Sequence, residues 1–308
     1  MKKISCGVLA ALLGLALLSL SLSPRNAAAE EKLRVVCSLF PQYDFVRQIA
    51  GERVDLRLLL PPGAEAHNFE PRPLDVKALH EADLFIFTGE AMESWAARII
   101  RGLPESVRVV DTSAGIELLA EDGHEHGHRH DHGMDPHIWL DLERAGRMVE
   151  VIADALSTAD PSHGEEYSNA AAALRRELAA LDGEFRAVAE RAERRTVVFG
   201  GHFACRYLLR RYGLEWMTLH EGDSEAAEPG LRRVARVLQY MRDNDVHCVL
   251  HEESVPPRAA RRLAEEAGAE LLRFNTAHNL SREEMEKGLG FVDIMRQNLA
   301  VLERALND

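Results

Sequence analysis

Residues 161–194, PSHGEEYSNAAAALRRELAALDGEFRAVAERAER, decide how the rest of the chain is to be read. Tyr167, Ala171, Leu174, Leu178, Leu181 and Phe185 recur three or four residues apart with charges between them, which is one apolar stripe on an α-helix. Asp160-Pro161 supplies an N-cap followed by a proline suited to the first helical position. Gly164 and Gly183 weaken the pattern without breaking it. A helix of about 30 residues is ~45 Å long, whereas a flexible connector would be short and rich in Gly, Ser or Pro. The stretch therefore reads as a long helical connector.

On both sides of it strand-like runs alternate with helical ones. Before it, strands are expected at Leu33–Leu39, Val54–Leu60, Asp83–Thr88 and Val107–Val110. Helices at Pro41–Ala50, Pro73–Glu81 and Met92–Ile100 fall between or beside them. After it come strands at Thr196–Phe199, Trp216–Leu219, Val246–His251 and Glu270–Phe274, separated by helices at Phe203–Tyr212, Gly230–Asn244 and Pro256–Ala267. Ser281 and Glu284 form a capping box for a last helix running to Leu306. Strands separated by single helices imply right-handed crossovers and parallel sheets. The expected fold class is α/β, with two (β/α) lobes of four parallel strands each, at 30–160 and 195–308, joined by the helix 161–194.

The first residues point to export. Lys2 and Lys3 precede an apolar run from Val8 to Leu22, and Ala27-Ala28-Ala29 forms a small-residue site for cleavage before Glu30. Residues 1–29 are thus expected to be a signal peptide, the alternative being an uncleaved membrane anchor. Cys6 lies before the apolar run, so it is no lipid-attachment cysteine at the cleavage site, which argues against an anchored lipoprotein or adhesin. With 37 basic and 50 acidic side chains the chain carries a formal charge of −13, and the leader holds Lys2, Lys3 and Arg25 but no acid. Such a balance opposes nucleic-acid binding. Cys37, Cys205 and Cys248 lack C-x-x-C spacing and read first as small buried residues, with a Cys205–Cys248 disulfide left open.

Fourteen histidines carry the chemical signal. His67 follows the second strand in PPGAEAHNFEPRP, His137 stands in DPHIWLD, His202 follows TVVFGG, and His278 follows LLRF in LLRFNTAHN. Imidazole is a common ligand for first-row divalent metals. Open α/β sheets gather their ligands in the crevice beyond the strands' carboxyl ends. Any one of these histidines alone is more simply a surface or hydrogen-bonded residue, but four at such ends, two per lobe, point jointly to a metal site. His80, His163, His220, His247 and His251 lie in ordinary contexts, with His251 a candidate supporting residue beside Glu252. The segment 123–133, GHEHGHRHDHG, has no apolar side chain and cannot pack. It is either a low-affinity zinc collector or a spacer.

PPGAEAHNFEPRP, DPHIWLD, GGHFACRYL and VLHEESVPPR resemble signature stretches of the metal-binding solute proteins of ABC transporters, the zinc and manganese uptake class. The resemblance extends from about Arg34 to the C-terminus. It implies two lobes joined by one rigid long helix, a metal held between them, and a permease in the inner membrane as partner. By the same resemblance the protein is a periplasmic monomer with no catalytic activity and no nucleic acid among its partners. His67 and His137 match the first-lobe ligands and His202 the third, a position that is glutamate in many manganese-binding members. The fourth is usually a late aspartate; here it falls on His278, on Asn275 if the alignment shifts, or on water. Mostly imidazole ligation favours Zn2+ over manganese. Asp135 and Asp141 either orient His137 through its second nitrogen or serve as turn and helix caps. From a different class, an exported zinc hydrolase would need a general base; Glu65 is the one candidate, and H-E-x-x-H is absent.

Overall fold

The computed structural model describes residues 32–120, 133–201, 203–219, 229–252 and 257–308. The expected signal peptide, the histidines of the segment 123–133, and His202 and His220 lie outside the described residues. The first sheet comprises β1 (Leu33–Cys37), β2 (Val54–Leu58), β3 (Leu84–Phe87) and β4 (Arg108–Asp111), all parallel, in the order β2-β1-β3-β4. The second comprises β5 (Thr196–Phe199), β6 (Glu215–Thr218), β7 (Cys248–His251) and β8 (Glu270–Arg273), also parallel, in the order β6-β5-β7-β8. Counted from its own first strand, each sheet has the same order. In each, the chain reverses direction of travel across the sheet at the boundary between the first and third strands, which opens a crevice at their carboxyl ends.

The strands alternate between two cores because successive side chains leave a strand on opposite faces. From β1, Val35 and Cys37 enter one large buried cluster and Val36 a smaller one; from β5, Val197 and Phe199 enter the large cluster and Val198 a third. The large cluster belongs to both sheets. It also takes in α1 (Phe40–Ala50), α4 (Leu142–Ala159), α5 (Gly164–Glu190) and α10 (Phe291–Asn307). The smaller clusters close the outer faces. On the first sheet α2 (Pro73–Glu81) contributes Leu79, and Trp95 lies just before α3 (Ala96–Ile100). On the second, α7 (Leu231–Asp243) and α8 (Arg258–Ala267) contribute Val237, Leu238, Met241, Ala260 and Leu263. A shared inner core means that the two lobes pack as one body through apolar burial.

The connector is helical over Gly164–Glu190, preceded by a 3-10 turn at Pro161–His163. It starts three residues later and ends four residues earlier than the stretch that suggested it. Its buried residues include Tyr167, Ala171, Leu174, Leu178, Leu181 and Phe185, the stripe read from spacing, and at 27 residues it is about 40 Å long. Its principal neighbour is α4, which the strand–helix reading did not anticipate; α4 buries Ala145, Met148, Val149, Ile152 and Leu156. Asp141 caps α4 by accepting from the Glu143 and Arg144 amides.

The expected last helix is two helices. Ser281 and Glu284 do form the capping box, but they start only α9 (Arg282–Glu286). Gly288 then adopts φ +70°, and α10 begins after Gly290. A side chain on Gly290 would crowd the buried carboxylate of Asp44, whose Oδ2 accepts the Phe291 amide at 2.7 Å. A first-lobe acid thus caps the last helix and requires the break. Among the described residues no helix is long and apolar enough to cross a membrane.

Candidate metal centre

His67, His137 and His278 converge, each offering one ring nitrogen, with those nitrogens all within 4.8 Å of one another. His67 comes from the loop after β2, His137 from the segment between β4 and α4, and His278 from the loop after β8. The rings meet edge to face, with centroids 5.3 Å apart for His67–His137, 5.2 Å for His67–His278 and 4.9 Å for His137–His278. Nε2 of His137 lies 3.4 Å from Nε2 of His67. Two nitrogens on one tetrahedral zinc, each at about 2.0–2.1 Å from it, are separated by about 3.3–3.4 Å. The pair is therefore spaced as one edge of a zinc tetrahedron.

The buried members are held at their far nitrogens. Asp135, only 2 % exposed, accepts through Oδ1 from both the His137 amide (2.9 Å) and His137 Nδ1 (2.8 Å). An ionised carboxylate only accepts, so the His137 proton sits on Nδ1 and the Nε2 lone pair is left for a metal. Behind His137 a 3-10 turn at Ile138–Leu140 sinks Ile138, Trp139 and Leu140 fully into the core. The Trp139 indole N–H donates to the Thr276 carbonyl at 2.9 Å, which ties that turn to the loop of His278. His278 Nδ1 lies 2.6 Å from Thr276 Oγ1, so Nε2 is the nitrogen a metal would take.

The two candidate acids beside His137 have different work. Asp135 orients the imidazole. Asp141 caps α4, pairs with Arg144 and lies 3.4 Å from Arg211. Asn275, the rival to His278, is committed elsewhere: its Oδ1 accepts the Ala277 amide at 2.8 Å, and its own backbone is paired on both sides with the Asn298 amide. That turn puts Ala277 at φ +57° and aims the next residue, His278, into the cleft. Glu65, the candidate general base, is also occupied, since its two oxygens accept the His67 and Asn68 amides at 2.7 and 2.8 Å.

Of the histidines read as ordinary, four are described. His80 bonds to the Val76 carbonyl, His163 to Asp160 and His247 to Asp245. His251 bonds to the Glu252 carbonyl, and burial pushes its pKa down; it does not join the cluster. Cys37, Cys205 and Cys248 are buried core residues, and burial pushes the Cys37 and Cys248 thiols up, away from the thiolate a metal requires.

Sequence reading missed the residues that hold the loops together. Arg206, Tyr207 and the side-chain nitrogen of Asn279 meet partners across the fold, and the Thr276 carbonyl does so with Trp139. Asn279 Nδ2 donates to the Pro61 and Ala64 carbonyls at 2.6 and 3.0 Å, the Gly63 amide donates to Leu280, and the Phe40 amide donates to the His278 carbonyl. Side-chain identity alone carries no signal for such pairings, because every one spans a large sequence separation.

The chain matches a family model described as the periplasmic zinc-uptake complex component A over residues 35–305. It is similar to the high-affinity zinc uptake system protein ZnuA of Bacillus subtilis, 35% identical over 283 residues, covering 90% of this chain and 88% of the relative. It is also similar to the zinc-binding lipoprotein AdcA of Streptococcus pneumoniae, 32% identical over 311 residues and 99% of this chain; it spans 61% of that longer protein. Among solved structures, the Zn(II)-bound ZnuA-like domain of Streptococcus pneumoniae AdcA superposes with a TM-score of 0.77 at 30% identity, covering 90% of this chain and 100% of that domain.

Proposed function

This chain belongs to the periplasmic zinc-uptake component A family of ABC-transporter solute-binding proteins, and on that premise we propose that it captures Zn2+ between its lobes and delivers it to a permease in the inner membrane. His67, His137 and His278 are the ligands, with His202 as the fourth. After removal of the signal peptide 1–29, the protein works in the periplasm as a monomer. The lobes 30–160 and 195–308 form the two walls of the site, and 161–194 is the connector.

The observation that carries the reading is the 3.4 Å separation of the His67 and His137 Nε2 atoms beside a third imidazole. Neutral nitrogen donors suit zinc, whereas manganese prefers oxygen. Among the described residues Glu65, the candidate base of a hydrolytic reading, holds two backbone amides instead. The family itself is one of binding proteins, not enzymes.

Isothermal titration of the protein beginning at Glu30 should give one tight zinc equivalent. That equivalent should be lost in His137→Ala and retained in His80→Ala. Deleting 124–132 should leave it intact while removing weaker equivalents, since a polar segment binds zinc only by ordering itself at an entropic cost. A tight site that survives His137→Ala overturns the ligand assignment.

A further inference from the structure

The residue that orients His137 is itself held from the other lobe. Asp135 belongs to the first-lobe segment before α4. Its Oδ1 is taken by His137, and its Oδ2 accepts from the Arg206 guanidinium at 3.1 Å. Its main-chain carbonyl accepts the Tyr207 hydroxyl at 2.9 Å, and that hydroxyl in turn accepts the Leu119 amide at 2.8 Å. Arg206 and Tyr207 open α6 (Arg206–Arg211) in the second lobe. All three residues are buried, Arg206 at 6 % exposure and Tyr207 at 1 %.

The far end of α6 is tied to the connector. Arg211 pairs with Asp182 of α5 at 2.5 Å and with Glu143 of α4 at 2.7 Å, and the Tyr212 hydroxyl donates to Asp182 at 2.8 Å. Helix α6 is thereby fixed on α5 at one end and grips Asp135 at the other. Three groups converge on a single residue next to a metal ligand, two of them from the opposite lobe.

We propose that Arg206 and Tyr207 are positioning residues through which the second lobe sets the ligand geometry of a first-lobe histidine. Resting on the zinc-binding function above, this assignment adds a route for release. Slackening this contact between the lobes frees the Asp135 carboxylate to turn, so the acceptor that fixes the His137 tautomer and direction is no longer held in place. Outer-layer partners of this kind typically change metal affinity by about 10–100-fold.

The sign of the effect discriminates. If Arg206 acted only as a positive charge near a dication, removing it would tighten zinc binding. If it only stabilised the fold, removing it would lower Tm and leave the affinity of the folded protein alone. Positioning requires weaker zinc binding in a folded protein.

The test compares zinc Kd, by competition with a chromophoric chelator, in wild type, Arg206→Met, Arg206→Lys, Asp135→Asn and the Asp135→Asn/Arg206→Met double variant. Each is measured well below the Tm of its metal-free form. Arg206→Met should weaken binding by about tenfold and Arg206→Lys should recover part of the loss. Asp135→Asn should weaken binding further, since an amide donating to Nδ1 forces the proton onto Nε2. The double variant should be no worse than Asp135→Asn alone, because Arg206 acts through Asp135. Nitrogen-15 NMR of metal-free protein should show a protonated His137 Nδ1 in wild type and a shift of that proton to Nε2 in Asp135→Asn. Unchanged or tighter zinc binding in folded Arg206→Met, or additive losses in the double variant, overturns the proposal. Should Arg206→Met not fold, Tyr207→Phe removes one hydroxyl and should weaken zinc a few-fold; an unchanged Kd there overturns it equally. A wild-type protein that binds no zinc overturns the function itself, whereas tight wild-type binding with indifferent variants overturns this inference alone.

Discussion

The loop carrying His67 and the loop carrying His278 meet at the cleft, where Asn279 bonds to the Pro61 and Ala64 carbonyls, yet their support differs. His278 is 4 % exposed, and its loop is fastened by Asn275, Asn298, Thr276 and the Trp139 indole. His67 is exposed, and its own segment is organised by Glu65 through two amides near the surface. His137 belongs with His278, buried and held through Asp135. Of the three proposed ligands, two are thus pre-positioned in the protein interior and one stands at the solvent side.

Deleting ligands tests that contrast most severely. His278→Ala should weaken zinc binding by roughly 100-fold or more, because the lost donor lies in a packed interior that water enters only at a cost. His67→Ala should cost about tenfold, since a water molecule takes the vacated position easily at an exposed edge. Competition titration measures both, and equal losses would break the distinction between a rigid pair and an exposed third ligand.

The base of the His67 loop offers a pH-dependent test. The Leu60 amide donates to the Ser38 carbonyl, and the Ser38 hydroxyl donates to buried Glu93 at 2.6 Å. Burial pushes the Glu93 carboxyl up to about 7, against the pull of hydrogen bonds from Ser38, Thr88 and Gly89. A folded-state value above the unfolded one means stability that is fully present below about pH 4.5 and lost as pH rises through about 7. Relative to Glu93→Gln, wild type should therefore lose on the order of 2–3 kcal/mol between pH 4.5 and 8. Urea denaturation of both metal-free proteins across that window measures it, and parallel pH profiles would remove Glu93 as the cause.

The smallest contrast concerns the loops' own hydrogen bonds. Asn275→Ala should cost about 1–2 kcal/mol, because it strands buried backbone donors and acceptors. Glu65→Ala should cost less, about 0.5–1 kcal/mol, because the two amides it releases lie near the surface and can bond to water. Chemical denaturation ranks them. A larger cost at Glu65 would reverse the assignment of the rigid loop.

Much of the architecture was legible before any coordinate. The strand runs were found to within about two residues because a strand buried on both faces is an unbroken apolar stretch, as in Leu84–Phe87. The long connector was legible because its stripe keeps the helical period. The same rule misled at the C-terminus, where periodicity continued past Gly288 and Gly290 and hid a break that Asp44, some 250 residues earlier in the chain, requires. Helix α4 was equally legible and was not read: Leu142, Ala145, Met148, Val149, Ile152 and Leu156 keep the helical period behind DPHIWLD.

His67, His137, His202 and His278 were read together as residues at strand ends, because strand direction and the order of elements place those ends in one crevice. His67, His137 and His278 do converge, and His202 lies outside the described residues. The sequence by itself also determined zinc-like chemistry, which follows from the imidazole itself. It treated Asp135 and Asp141 alike, and it preferred His278 to Asn275 only on the poor metal affinity of an amide and on spacing within the resemblance. Only the tertiary structure separated them, because the decision rests on which partner lies within about 3 Å. Asp135 meets His137 and Arg206, Asp141 meets the first amides of α4, and Asn275 meets Ala277 and Asn298. Hydrogen bonding is short-ranged and directional, so the role of a polar side chain is set by neighbours that the chain brings together only when both lobes close on their shared core.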